Sequence, residues 1–225
     1  MEGRYSNGLM FAMTSCNDPA KEREFNDWYN HIHLPDVTAP GIYSHATRFA
    51  NTSANIRPGE GGYIALYETN WEDLAEAVAT ERQALDIVRA QGRVTSLIEN
   101  VLVSTFKRLG GEFRSSGRPV RGILAVLSNC TDAAREGEFN NWYNDVHIPD
   151  VLDTGLYHTA YRFESQDAQA TRGKYLALYE TDHGDPGKAT HELGKHSPRW
   201  KQDGRMHDAL EVLFAISARR IWPRD

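Results

Sequence analysis

The feature that most constrains this chain is that it is written twice. Phe25-Asn-Asp-Trp-Tyr-Asn-His-Ile-His-Leu-Pro-Asp36 returns as Phe139-Asn-Asn-Trp-Tyr-Asn-Asp-Val-His-Ile-Pro-Asp150, with eight of twelve residues identical. The match continues outward at the same spacing. Gly8 to Cys16 aligns with Gly122 to Cys130, and Gly41, Tyr43, Arg48 and Phe49 align with Gly155, Tyr157, Arg162 and Phe163. Two residues are then lost from the second copy, and Tyr63-Ile-Ala-Leu-Tyr-Glu-Thr69 aligns with Tyr175-Leu-Ala-Leu-Tyr-Glu-Thr181. Gly92-Arg93 aligns with Gly204-Arg205. A repeat of this kind is one supersecondary unit present in two copies. The expected modules are residues 1–109 and 120–225. Gly110 to Pro119, rich in Gly, Ser and Pro, reads as the linker.

Within one copy, Leu9 to Ser15 is a short apolar run, read as a buried strand. Asp18-Pro19 is a helix-start signal, a capping carboxylate followed by proline at the first helical position. Phe25, Tyr29 and Ile32 make a helical stripe. Pro35 is expected to end that helix, because proline disfavours helical geometry at the residue before it. Tyr43 to Ala50 and Tyr63 to Thr69 read as strands. Pro58-Gly59 and Gly61-Gly62 punctuate the loop between them. A long helical pattern from Trp71 to about Ala90 and a strand at Asn100 to Phe106 complete the copy. The order β-α-β-β-α-β is ferredoxin-like. The fold class is therefore α+β: two such modules in one chain, an intrachain pseudo-dimer. Their sheets are expected to face each other as an eight-stranded barrel-like body around a shared interior. Further association of whole chains stays open.

Charge and composition narrow the partners. The net charge is −6, and Arg4, Arg108, Arg114, Arg118 and Arg121 are scattered or near the linker, so no nucleic-acid partner is expected. No stretch approaches the roughly 20 apolar residues of a membrane span. No signal peptide is readable behind Met1, and a cytoplasmic location is the expectation. Cys16 and Cys130 need no disulfide and read as inert thiols.

His33 and His147 are the first candidates for chemistry. Each follows Tyr29 or Tyr143 by four residues and stands three before Asp36 or Asp150. A carboxylate beside an imidazole fixes its tautomer and raises its basicity, which suits a general base. A histidine that merely closes the helix end gives the same pattern, and both readings stay open. Trp28 and Trp142 point to a different helix face from Tyr29 and Tyr143. Either pair could pack or line an aromatic site. Ile64, Leu66 and Glu68 are expected to face the helices, leaving Tyr63 and Tyr67, with Tyr175 and Tyr179, to offer hydroxyls to a ligand. Arg48 and Arg162 need partners when buried, and Glu68 and Glu180 or an anionic substrate group are the options. His31 and His33 stand at i and i+2 of a helix and point apart, so no metal site is expected. His183, His191, His196 and His207 read as solvated surface. There is no phosphate loop, Ser elbow or nucleotide signature, and no cofactor is expected.

The stretch Phe25-Asn-x-Trp-Tyr-Asn-x-x-His33-x-Pro35-Asp36, followed by Gly41 and Arg48-Phe49, resembles the dimeric α/β-barrel superfamily. It looks most like the branch related to the ethyl tert-butyl ether degradation protein. The resemblance covers both halves. It implies an apolar cavity between helix and sheet, with His33 and His147 near its mouth. Its relatives include cyclases, isomerases, cofactor-free monooxygenases and haem-dependent enzymes, and the axial-ligand context of the last is not matched here. The activity expected is a cofactor-independent lyase, isomerase or cyclase on a small aromatic or polyketide-like molecule, in aromatic-compound catabolism. A cofactor-free monooxygenase and a non-catalytic small-molecule-binding or stress-related module are the alternatives. The copies differ where His31 faces Asp145, Ser44 faces His158 and His45 faces Thr159, so two unequal sites are expected.

Overall fold

The computed structural model describes residues 1–53, 61–110, 116–167 and 173–223. The Pro58-Gly59 turn, the two-residue deletion and residues 111–115 of the linker lie outside them. The chain has the mixed α+β fold of the ferredoxin-like dimeric α/β-barrel class, with eight strands among the described residues. It divides into two compact units. One holds Met1, Tyr5–Arg108 and the C-terminal residues from Arg220; the other holds Glu2–Arg4 and Leu109–Arg219. The ends therefore do not follow the simple cut into 1–109 and 120–225. Ile221 and Trp222 pack on the core of the first unit, and Leu109 packs on that of the second. Leu109 is fixed there by donating its N–H to the Arg162 carbonyl at 2.9 Å.

The first unit runs β1 (Gly8–Cys16), a 3₁₀ turn (Pro19–Lys21), α1 (Glu22–Trp28), a π turn (Tyr29–His33), α2 (Leu34–Thr38), β2 (His45–Asn51), β3 (Tyr63–Thr69), α3 (Leu74–Ala90) and β4 (Ile98–Arg108). Its strands lie side by side as β4-β1-β3-β2, antiparallel throughout. The second unit repeats this with β5 (Gly122–Cys130), a 3₁₀ turn (Ala133–Arg135), α4 (Glu136–Trp142), a π turn (Tyr143–His147), α5 (Ile148–Asp153), β6 (Thr159–Ser165), β7 (Tyr175–Thr181), α6 (Pro186–Gly194), α7 (Ser197–Gln202) and β8 (Leu210–Trp222). The order is β8-β5-β7-β6, and β8 ends among the residues of the first unit. Both β1 and β5 slip register at the same place, between Met13 and Thr14 and between Leu127 and Ser128.

Asp18 caps as expected, its carboxylate accepting from the Ala20 N–H at 3.0 Å. Pro35 does not end the helix. The π turn precedes it, closed by the Leu34 N–H on the Tyr29 carbonyl five residues back. Pro35 then falls in the first turn of α2, where a missing N–H is tolerated. The wider turn also rotates the stripe. Phe25 and Tyr29 are buried, but Ile32 turns outward and Leu34 takes the inner position.

The strand faces are the reverse of the expectation. Tyr63, Ala65 and Tyr67 share a core with Phe25, Tyr29, Leu34, Val37 and Ala77 of the helices. Tyr175, Ala177 and Tyr179 do the same with Phe139, Tyr143, Val151 and Ala189. Aromatic side chains reach the helix layer that shorter aliphatic ones would leave underpacked.

Gly8 and Gly122 are repeated because helix starts lie on them. A Cβ at Gly8 would come within 2.7 Å of a Leu74 methyl, and at Gly122 within 2.8 Å of the Ala218 carbonyl oxygen, with Pro186 against it. Gly122→Ala is expected to destabilise by about 1–3 kcal/mol through overpacking. Gly137→Ala, in α4 with nothing within 4 Å of the new methyl, should stabilise by about 0.5–1 kcal/mol. Denaturant midpoints of the two variants check both signs.

Candidate functional site

The π turn delivers the two candidate histidines. Its extra residue sets His33 one step off the fully buried stripe, so the ring is half-buried beside three aromatic rings. His33 stacks on Trp28 at 4.9 Å and 23°. It meets Tyr29 edge-on at 4.7 Å and Tyr67 at 6.4 Å. His147 repeats this on Trp142 at 5.1 Å and Tyr143 at 4.9 Å, with Trp200 at 6.1 Å as an additional neighbour. Neither imidazole has a hydrogen bond to its ring nitrogens among the described residues, and those nitrogens are not sealed from solvent.

Behind each histidine lies a buried arginine. Arg48 is fully buried on β2. Its Nη1 donates to Asn30 Oδ1 and its Nη2 to Asn26 Oδ1 at 2.9 Å. Its guanidinium carbon stands 3.8 Å from the Tyr29 ring centroid and 5.1 Å from that of Tyr63. Arg162 donates to Asn144 Oδ1 at 3.1 Å and Asn140 Oδ1 at 2.8 Å, over the Tyr143 ring at 4.1 Å. The expected carboxylate partners are not there. Glu68 and Glu180 point to the opposite sheet face: Glu68 lies 3.7 Å from the N-terminal ammonium, and Glu180 accepts from the Glu2 N–H and the Tyr161 hydroxyl. The asparagines escaped the sequence reading, although both stand in the repeated motif at i and i+4 of one helix face.

Asp36 and Asp150 do not hydrogen-bond the imidazoles. Asp36 takes Arg93 through both oxygens, at 2.9 and 2.7 Å, and Asp150 takes Arg205 at 2.7 and 2.6 Å. The carbonyls of Arg93 and Arg205 in turn accept from the Trp28 and Trp142 indoles, each at 2.8 Å. The repeated Gly-Arg pair carried that signal. Tyr67 donates to the Tyr29 hydroxyl at 3.1 Å and Tyr179 to Tyr143 at 3.3 Å. In each unit the two tyrosines and the arginine have almost no exposed surface and lie beneath that unit's histidine.

Other expectations shift. Cys16 and Cys130 are half-buried, each donating its thiol to a carbonyl at 3.1 Å. His207 is buried against Phe139 and Trp142, not solvated. His31 is exposed, with its ring edge-on to Trp222 at 5.2 Å.

Burial is the main cause of the electrostatics. It pushes His33 down to about 4; the Arg48 charge lowers it further and Asp36 opposes. His147 also falls to about 4, through burial, with Asp150 opposing and Arg162 lowering it. Both rings are neutral at pH 7. Tyr29 and Tyr143 are raised by burial.

No protein-family model matches the chain. Over 70 residues it is 40% identical to core atranone cluster protein 1 of Stachybotrys chlorohalonatus, a match taking in 31% of this chain and 28% of that protein's length. Among solved structures, an anthrone oxidase-like protein superposes with a TM-score of 0.58 at 12% identity, covering 98% of this chain and 94% of its own. A mutant chlorite dismutase of Candidatus Nitrospira defluvii gives 0.60 at 10% identity, covering 97% and 93%. At such identities the likeness shows the fold. No helix among the described residues is long and apolar enough to cross a membrane.

The histidine shifts have a sign. An unfolded imidazole takes its proton near pH 6.5, the folded ones only near pH 4. The unfolded chain binds more protons in that window, so stability is full above pH 6.5 and falls as the pH drops toward 4. His33→Gln with His147→Gln should flatten that acid limb in urea titrations. Arg48→Met should raise the His33 midpoint in NMR titration; an unchanged midpoint would remove the arginine from the account.

Proposed function

We propose that His33, and its counterpart His147, move a proton on a small aromatic or polyketide-like molecule, as in a cofactor-independent lyase, isomerase or cyclase. The observation that carries this is a neutral imidazole with unpartnered, accessible nitrogens, set in an aromatic wall over a buried cation that has no carboxylate. Trp28 and Trp142 give a planar ligand the aromatic contact beside each imidazole. Tyr29, Tyr67 and Arg48, with Tyr143, Tyr179 and Arg162, support that contact from beneath. The fold likeness to an anthrone oxidase-like protein agrees with this substrate class.

The chemistry follows from charge. A base held near pH 4 is always deprotonated at neutral pH but is weak. Its imidazolium is disfavoured by burial and by Arg48. Both objections ease when an enolate or phenolate forms beside it, because the fixed arginine charge favours that anion and the anion favours the imidazolium. Proton removal and anion formation therefore support each other. Asp36 and Asp150, fixed by Arg93 and Arg205, favour the same imidazolium through charge alone.

A haem ligand is a poor fit for these histidines. A metal-bound imidazole donates its second N–H to a carboxylate, a backbone carbonyl or water, and among the described residues neither His33 nor His147 has a protein acceptor placed for that N–H. We route no step through haem. Attack of the same substrate anion on oxygen is a second reading, favoured by the fold likeness to an anthrone oxidase-like protein.

The test is turnover of hydroxylated anthrones and naphthols by the whole chain, with oxygen uptake recorded. His33→Ala and His147→Ala together should lower kcat/KM by roughly 10²–10⁴-fold, the range of general-base loss. Unchanged turnover in the double variant overturns the proposal. Oxygen uptake matching product formation selects the second reading.

A further inference from the structure

The two units differ most in the helix that follows their third strand. The first unit carries one continuous helix there, α3, from Leu74 to Ala90. In the second, the same stretch forms α6 and then the short α7, with Pro198 in the first turn of the latter. Gly194 and Pro198 stand where the first unit has Arg82 and Asp86. Glycine weakens a helix interior and proline cannot donate within one, which accounts for the break.

Past the break, Trp200 turns onto the histidine. Its ring meets His147 edge-on at 6.1 Å, while Trp142 stacks on His147 at 5.1 Å. His196 stacks on Trp200 at 5.7 Å and 30°. Trp200 is half-buried and His196 is exposed, so the pair reaches from the His147 ring out to solvent. The His196 ring nitrogens and the Lys201 ammonium have no hydrogen-bond or ion-pair partner among the described residues. The first unit has Ala84 and Val88 at the aligned places. There the rings against His33, among the described residues, are those of Trp28, Tyr29 and Tyr67.

Charge separates the units in the same direction. Residues 72–89 carry five Asp or Glu and two Arg, and the aligned residues 184–201 carry two Asp or Glu and four Lys or Arg. Lys195 and Arg199 pair with Glu192 and Asp203, and Lys201, next to Trp200 in the chain, stays unpaired. Fixed charge of one sign beside a site raises the local concentration of ligands of the other sign. An anion is therefore disfavoured near α3 and favoured near α7.

We propose that Trp200 and His196 make the second unit's site selective for an aromatic carboxylate. The ring lies on the Trp200 indole beside His147, and the carboxylate accepts from a His196 ring N–H near the Lys201 ammonium. A neutral imidazole presents one such N–H without taking a proton. The first unit's site lacks these groups and takes an uncharged ring. The inference rests on the reading of His33 and His147 as sites for a planar ligand.

The experiment titrates 2-naphthoate, and its uncharged isostere 2-naphthamide, into the whole chain at pH 7.5 and fixed ionic strength. Calorimetry gives the affinities, and imidazole NMR resonances locate the ring. Naphthoate should bind about tenfold tighter than naphthamide, as a hydrogen bond to a charged group allows. It should move the His147 and His196 resonances and leave that of His33. Trp200→Val should weaken naphthoate by about 3–10-fold, the worth of an aromatic pair, and Trp200→Phe should restore it. His196→Ala, at an exposed side chain, should erase the preference for the acid. Equal affinities for the two probes overturn the proposal. So does naphthoate that moves His33 as much as His147, or that binds Trp200→Val as tightly as the wild type. None of these measurements uses turnover, so their failure leaves the proton-transfer proposal standing. Unchanged turnover in the double histidine variant, with naphthoate bound as expected, sinks that proposal and leaves this one.

Discussion

A guanidinium with no carboxylate ion pair among the described residues sits at the centre of each unit. Arg48 and Arg162 are buried on the second strand of their repeats, and their charges are met by neutral amides and ring faces. Burying a cation this way is costly unless hydrogen bonds and ring faces meet it; the Nη atoms are met by the asparagines, while each Nε is left without a hydrogen-bond partner among the described residues. That requirement accounts for much of the repeated motif. Phe25, Asn26, Tyr29 and Asn30 lie along one helix face because each gives the arginine beneath a ring face or a hydrogen bond, and their counterparts do the same. Removing one amide leaves a buried donor unsatisfied, so the two copies have little freedom to drift apart here.

The histidines depend on the same arrangement. Burial among the surrounding rings holds them neutral, with the arginine charge adding to it, and the π turn brings them to the edge of that layer. A regular helix would carry residue 33 one step further round. The π turn also lets the chain pass through Pro35 without breaking, which gives Asp36 a helical position facing Arg93. A second ring of contacts then locks the indole: Asp36 holds Arg93, whose carbonyl holds Trp28, whose ring stacks on His33. The aspartate thus positions the imidazole through two intermediates and not through a direct bond.

Against this shared frame the differences stand out. Glu81 against Leu193, His207 buried in one unit with Thr95 at its aligned place in the other, and Trp200 beside His147 alone are changes inside or next to the constellation. They bear on what each unit can hold, since the charged and aromatic frame around them is unchanged.

The sequence by itself determined the duplication, the β-α-β-β-α-β order and the pairing of every site residue with its counterpart. Those are properties of local pattern and self-similarity, which need no knowledge of neighbours in space. It also contained the asparagines and the Gly-Arg pair, repeated in plain view, but gave them no role. Only the tertiary structure decided which strand face turned to the helices and what Arg48 and Asp36 touch. Alternation shows that Tyr67 and Glu68 lie on opposite faces, but it does not show which face is which. That choice depends on register and on the volume between sheet and helix, and large aromatic rings filled it better. The π turn was hidden for a similar reason: one additional residue per turn leaves no mark in composition, and it is held by packing around the buried arginine.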